Sequence, residues 1–382
     1  MNDRVLIIGG GVVGLATALA LACRGIPSRV LEKSGQPGTI DRGDVIHEGA
    51  LRLLQKWRVL PHEKSEVLNV PDFHILGPRG QRLFSFDFAK DLGCEAGLTI
   101  MRHPEIEMAL ERAATNTGLV DIQRGVTAQS WLARNGRVHG VVDSHGAEYH
   151  ATFSVLATGA GGAFGKNLFE VKRLHTYKRH FYNLLIDGVP GVPSSGCYCL
   201  SREGFMIMVP LPAGKLRIGF QVANSTELSA YRDPAKLGNE IRKRFPGFPR
   251  TDLTIHEGHY YKLARQLAHK FVTPGAAVVG DAAHTVHPTG GQGMNMGFVD
   301  AEHLAAALEK ARADPAAAER HLAAYHYERR KQVLSIQRRT HLLGVIGEWA
   351  PNWITITTMA LSAFNKAGPM KRRFGELFMN VE

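Results

Sequence analysis

Val5-Leu-Ile-Ile-Gly-Gly-Gly-Val-Val-Gly14 decides the fold of this chain. Four apolar residues make a buried strand, Gly9, Gly11 and Gly14 form G-x-G-x-x-G, and an apolar-rich helix follows to about Cys23. In such a unit the first glycine makes the tight turn, the second admits a pyrophosphate, and the third lets helix and strand pack closely. A second strand, Ser28 to Leu31, ends in Glu32, 18 residues after Gly14, where a carboxylate can hold ribose hydroxyls. Val13 and Lys33 join Gly9, Gly11, Gly14 and Glu32 as candidate dinucleotide contacts. Strand, glycines, helix, strand and acid come in the order a nucleotide fold requires, against the alternative of a purely structural turn. The motif alone does not separate a flavin from a nicotinamide dinucleotide.

Far downstream, residues 280–300 read GDAAHTVHPTGGQGMNMGFVD. A strand-like segment, Ala276 to Val279, precedes them and a helical pattern follows. An aspartate at a strand end can accept hydrogen bonds from a sugar hydroxyl. The glycines let backbone approach a flat ligand, and a helix start offers unpaired N–H groups to anionic oxygen.

The chain has 382 residues, enough for two or three domains, with ordinary globular composition and no obvious internal repeat. A first strand beginning within a few residues of the start leaves no room for a signal peptide, so the cytoplasm is the expected compartment. Cys23, Cys94, Cys197 and Cys199 lack paired C-x-x-C spacing and read as reduced buried thiols, with no metal site. The formal charge of +11 fits an anionic ligand, nucleic acid or a membrane surface. No nucleic-acid motif is present, and the cations are not interleaved with aromatics as a stacking platform needs. They gather near the end instead, at Arg329-Arg330-Lys331, Arg338-Arg339 and Lys371-Arg372-Arg373. Between them, Leu342 to Leu361 is interrupted by Glu348, Pro351 and Asn352 and makes a poor transmembrane span. It reads as two short amphipathic helices joined at Ala350-Pro351, serving as a cap over the core or as a peripheral membrane contact.

Hydrophobic periodicity gives a discontinuous α/β architecture. Residues 1–70, 99–170 and 270–320 read as a Rossmann-type nucleotide domain. Residues 71–98 and 171–269 read as an inserted mixed β-sheet domain, and 321–382 as C-terminal helices. Helices are expected from Glu48 to Trp57, Pro104 to Asn116 and Pro234 to Arg244, and a strand near Asp121 to Gln123. Asn135-Gly136 and His145-Gly146 are expected turns of an antiparallel pair.

The glycine motif with Glu32, the surroundings of Arg42, and the 280–300 run together resemble the single-component FAD-dependent aromatic hydroxylases. These have the 4-hydroxybenzoate hydroxylase-like fold and include the ubiquinone-biosynthesis hydroxylases and, more distantly, squalene epoxidase. The resemblance covers nearly the whole chain. It implies FAD as cofactor, with Gly280 and Asp281 at the ribityl chain and the backbone of Pro288 beside the flavin ring. It places Gly291, Gly293, Met294 and Asn295 at the flavin pyrimidine oxygens. Arg42 and Arg102 match arginines approaching the pyrophosphate, against the alternative of surface salt bridges, and Val126 matches a position whose backbone meets adenine.

The resemblance also implies NADPH or NADH as electron donor, molecular oxygen as co-substrate, and oxygen transfer through a flavin C4a-hydroperoxide. One departure bears on the donor. Where the family has an aspartate, serine and arginine after the third nucleotide strand, this chain has Gly161, Gly165 and Lys166. Either the donor binds differently or electrons come from elsewhere, the substrate included. An oxidase, dehydrogenase or reductase on the same fold, or a sequestering flavoprotein, are the other readings. A halogenase lacks its G-W-x-W-x-I-P element here.

His47 and Pro288 are the candidate catalytic positions, His47 as a base toward a phenol, an orienting group or a structural histidine. His284 and His287 flank the flavin loop, and Asp44 stands where the family has a small residue. Met206 and Met208, alternating with Phe205, Ile207 and Val209, are candidate substrate contacts or ordinary packing. No arginine–serine–tyrosine set for a small carboxylate is evident, so a hydrophobic aromatic substrate is expected. The assembly is read as a monomer or homodimer.

Overall fold

The computed structural model describes residues 4–38, 43–59, 66–95, 97–192, 194–223, 228–249, 252–349, 352–366, 368–369 and 371–373. Its helices are α1 (Val12–Ala22), α2 (Glu48–Lys56), α3 (Phe88–Leu92), α4 (His103–Asn116), α5 (Pro234–Arg244), α6 (Gln292–Ala313), α7 (Ala318–Trp349) and α8 (Ile354–Lys366).

A six-stranded sheet organises the nucleotide half. Its order is Val272–Thr273, Ala276–Val278, Ser154–Leu156, Val5–Ile8, Ser28–Glu32, Val120–Arg124. All neighbours are parallel except the first pair. Val5–Ile8 lies at the centre and is buried throughout, as an unbroken apolar run in a parallel sheet requires. The strand ends of residues 8, 156 and 278 therefore converge from three distant parts of the chain.

The second half is a seven-stranded mixed sheet ordered Ile255–Tyr261, His180–Asp187, Lys215–Val222, Gly204–Leu211, Gly196–Ser201, Asp72–Leu76, Arg82–Asp87. Pairing is antiparallel except between Gly196–Ser201 and Asp72–Leu76. Alternation along Gly204–Leu211 separates two cores. Phe205, Ile207, Val209 and Leu211 join the apolar cluster toward the nucleotide half. Met206 and Met208 join the opposite cluster with Leu237 and Ile241 of α5.

Gly43–Ile46, Leu98–Arg102 and Val67–Val70 form a small sheet between the halves. The turn at Asn135-Gly136 has φ of 52° and 73°, the left-handed pair that Asn-Gly supplies to a tight hairpin.

Two expectations change. Leu342 to Trp349 is not a separate short helix but the end of the 32-residue α7, whose inner face carries Gly344 and Gly347 into the core. Ala350 and Pro351 lie outside the described residues. Cys23 is exposed, unlike the other three cysteines, because it follows the last turn of α1; all four are free thiols.

Candidate functional site

Close approach of backbone explains the first glycine motif. Gly9 has φ +108°, and a Cβ on Gly14 would fall 1.9 Å from the Gly9 carbonyl oxygen. Only glycine lets α1 start directly on the strand end. A Cβ on Gly11, by contrast, meets nothing within 4 Å, because Gly11 faces a cavity. Gly11 caps α1 without any side-chain hydrogen bond, and no acid stands in the first turn. The helix start is thus left to an anionic ligand.

That cavity, about 630 Å3, is lined by Gly9, Gly11, Val13, Glu32, Lys33 and Val126, and runs on to Asp281, Gly293 and Met294. Glu32 accepts the N–H groups of Gly10 at 2.7 Å and Ser34 at 2.8 Å, which fixes its carboxylate across the glycine turn. The Val126 N–H is donated to the Glu32 carbonyl at 3.0 Å. Arg102 sits at the N-cap of α4, while its neighbour His103 lines the cavity and pairs with Asp44. Arg42 lies outside the described residues.

A second cavity of about 680 Å3 shares Gly161, Asp281, Gly293 and Met294 with the first and is also lined by Pro288 and Gly291. Gly291, at φ +64°, caps α6 without a side-chain bond. Its far wall belongs to the seven-stranded sheet: Phe181, Asn183, Arg217, Tyr260 and Tyr261. Asn183 Oδ1 is buried with no hydrogen-bond partner among the described residues. Arg217 donates to the Gly43 carbonyl at 2.6 Å, tying this wall to the small sheet. Sequence reading missed Arg217 and Asn183, because nothing local marks a strand residue as facing a cavity. The wall is of mixed character, with Asn183 and Arg217 beside Phe181, Tyr260 and Tyr261.

Met206 and Met208 are not at this wall. They point to the α5 side, since the inward face of their strand belongs to Phe205, Ile207 and Val209. His47 is placed behind the loop, not in the cavity lining. Its Nε2–H donates to the Gly290 carbonyl at 2.6 Å, and its backbone N–H to Asn295 Oδ1 at 2.9 Å. Burial pushes the His47 pKa down to about 4 against the opposing pull of the Gly290 bond, so the ring is neutral near pH 7. The Asn295 amide donates to Val45 and Gly291 carbonyls at 2.8 and 2.7 Å. His47 and Asn295 thus bond the loop from behind, an arrangement that fits the structural alternative for His47. The Tyr198 hydroxyl accepts the Gly290 N–H at 3.1 Å and completes the support.

Gly280 is held by a buried network that the sequence did not disclose. Asp300 Oδ2 accepts from the Gly280 N–H at 2.8 Å and from His284 Nε2 at 2.7 Å, and Arg329 Nη2 donates to its other oxygen at 2.8 Å. Burial raises the Asp300 pKa, but His284 and Arg329 outweigh it and bring it to about 2. His287, buried between Tyr177 and Phe205, has its pKa pushed down by burial to about 3.

A family model described as an FAD binding domain matches residues 3–340. The chain belongs to that FAD-binding family. It is 26% identical over 317 residues to the uncharacterized aromatic compound monooxygenase YhjG of Bacillus subtilis, covering 80% of this chain and 61% of that protein. It is 24% identical over 328 residues to para-nitrophenol 4-monooxygenase of a Pseudomonas species, covering 80% and 77%. The crystal structure of p-nitrophenol 4-monooxygenase PnpA from Pseudomonas putida superposes with a TM-score of 0.86 at 20% identity, covering 99% and 98%. The architecture is thus the FAD-binding fold of the 4-hydroxybenzoate hydroxylase type. Among the described residues, no helix is long and apolar enough to cross a membrane.

Proposed function

We propose that this FAD-binding chain is a monooxygenase that inserts one oxygen atom into an aromatic substrate, with NAD(P)H as electron donor. The observation that carries the reading is the pair of cavities joined at Gly161, Asp281, Gly293 and Met294. One is walled by the dinucleotide turn, and the other lies between an uncapped helix start and a sheet wall of mixed aromatic and polar character. The donor set fits FAD: open space at Gly11, a carboxylate at the ribose position, and two helix starts facing the cavities. The relatives' names point to aromatic substrates.

FAD supplies two-electron transfer and oxygen activation; the residues of the chain bind, orient and exclude water. Glu32 would hold the adenosine hydroxyls, the start of α1 would receive the pyrophosphate, and Asp281 would meet the ribityl chain. The backbone of Val126, whose N–H is donated to the Glu32 carbonyl, would meet adenine. The N–H groups at the start of α6, which lines the second cavity, would favour negative charge on the pyrimidine edge of reduced flavin. Pro288, which lines the second cavity, would border the ring, and its loop is kept in place by His47, Asn295 and Tyr198. In the second cavity, which Phe181, Tyr261, Asn183 and Arg217 line, the two aromatic side chains would flank a substrate ring and the two polar ones would meet an oxygen substituent on it.

Gly161 favours a second reading, a flavin oxidase or dehydrogenase that takes electrons from its substrate. A Cβ there meets nothing within 4 Å, so the junction offers open space where the resemblance leads one to expect an aspartate. Anaerobic mixing with NADPH or NADH, with and without phenolic compounds, separates the two. Bleaching of flavin absorbance, followed by incorporation of labelled oxygen into product on aeration, supports the monooxygenase. Bleaching by substrate alone, with no label incorporated, supports the second reading.

A further inference from the structure

The exposed side of the last two helices carries an apolar ridge that neither the flavin nor the sheet wall uses. Leu342, Ile346, Trp349, Trp353, Ile356 and Met359 follow one another at four- and three-residue steps and are each 46–69% exposed. The Trp353 N–H reaches the Trp349 carbonyl at 3.3 Å, and the Thr357 N–H reaches Trp353 at 2.9 Å, so one helical step separates the two indoles across the junction. The opposite sides of the same helices are anchored. A Cβ on Gly344 would lie 2.7 Å from the His287 ring and one on Gly347 3.1 Å from Phe205, while Ile354 and Leu361 are buried. The ridge is therefore not needed to hold these helices in place.

Charge at its two ends selects the occupant. From Lys331 to Arg373 there are seven cations and one acid, Glu348. That acid is turned inward, accepting the backbone N–H groups of Lys178 and Arg179 at 2.6 and 3.2 Å. Arg338 lies one turn before Leu342, and Lys366, Lys371, Arg372 and Arg373 follow Met359, Lys371 being paired with Asp91. A second copy docked along the same ridge would bring cations against cations in either direction. An anionic bilayer surface offers the complement: headgroup charge for the two ends and an interfacial depth that suits tryptophan.

We propose that the Leu342–Met359 ridge docks this protein on the surface of an anionic membrane, lying on it without crossing it. The inference is independent of the reaction, and FAD content serves as its control. The inner side of α7 touches His287 and Phe205 beside the flavin loop, so docking sets the site next to the lipid phase.

The test is co-sedimentation of the FAD-loaded protein with phosphatidylcholine vesicles that contain or lack phosphatidylglycerol. Binding to the anionic vesicles is expected, weakened by salt and at least about tenfold weaker on neutral ones. Replacing both indoles (Trp349→Gln with Trp353→Gln), or reversing the ends (Arg338→Glu with Lys366→Glu), should each lower binding by about tenfold or more while FAD content is unchanged. Wild-type protein that stays in the supernatant overturns the proposal, as does binding that the substitutions leave unchanged. So does a dimer in lipid-free solution that the tryptophan replacements split, which would assign the ridge to a second copy.

Discussion

The two glycine-rich turns and the sheet wall face each other across one pair of cavities, yet they are specified in opposite ways. The turns are fixed by backbone clearance. Gly14 is glycine because an atom 1.9 Å from the Gly9 carbonyl oxygen cannot exist, and that constraint sits within ten residues of sequence. The wall is fixed by which layer covers which face. Met206 and Phe205 are neighbours of similar hydrophobicity, but α5 claims one face of their strand and the flavin loop the other. Chemistry written into backbone geometry is local and portable; chemistry written into side-chain direction belongs to the packed assembly.

The sharpest break of this contrast is Gly14→Ala. The added methyl meets backbone that cannot yield, so FAD affinity should fall by at least about tenfold, ~1.4 kcal/mol per decade. Flavin absorbance of the purified variant, then titration with FAD, reads it; full retention of FAD would show that the turn tolerates a side chain.

Arg329→Met asks how far the second turn depends on distant structure. It leaves Asp300 buried without its guanidinium partner, a loss of about 3–5 kcal/mol for a broken buried pair. The melting temperature should drop strongly although Arg329 is not among the described residues that line either cavity.

Acid pH probes the supports of the flavin loop. His47 and His287 have folded pKa values of about 4 and about 3, below the 6.5 of an unhindered histidine, so the unfolded chain takes up their protons first. Their contribution is intact above pH 6.5 and is lost as pH falls toward the folded values, at up to about 1.4 kcal/mol per pH unit for each ring. Thermal melts in steps below neutrality measure it, and His47→Gln should flatten part of the slope.

The smallest effects test the wall itself. Arg217→Gln should raise KM for an accepted aromatic substrate by about tenfold with FAD retained, whereas Met206→Leu should change KM by less than about twofold. Equal effects at the two positions would erase the distinction between the faces of the sheet.

Legibility follows the same division. Glu32 could be read because a carboxylate at the end of the second strand has a fixed place in the nucleotide unit. The helix at Pro234–Arg244 is found where its Asp233 cap and the following proline mark it. Asp300 stood at the end of a quoted motif, but its partner Arg329 lies on another helix with no spacing rule to connect them. The sequence left His47 open as a base, an orienting group or a structural histidine; only the packed structure shows it buried, with its ring N–H on the Gly290 carbonyl. Arg217 alternates with apolar residues, a pattern that fits solvent as well as a cavity, and Asn183 interrupts an apolar run; neither shows what it faces until the opposing layer is known.

Sequence by itself determined the dinucleotide cradle, because the glycine positions, the strand-end acid and the uncapped helix starts act through a backbone whose course a few neighbouring residues dictate. Tertiary structure alone decided which side chains meet the substrate, which histidines are held neutral, and which apolar residues remain on the surface of α7 and α8. Those properties depend on burial and on contacts between segments more than a hundred residues apart, where no local physical rule reaches.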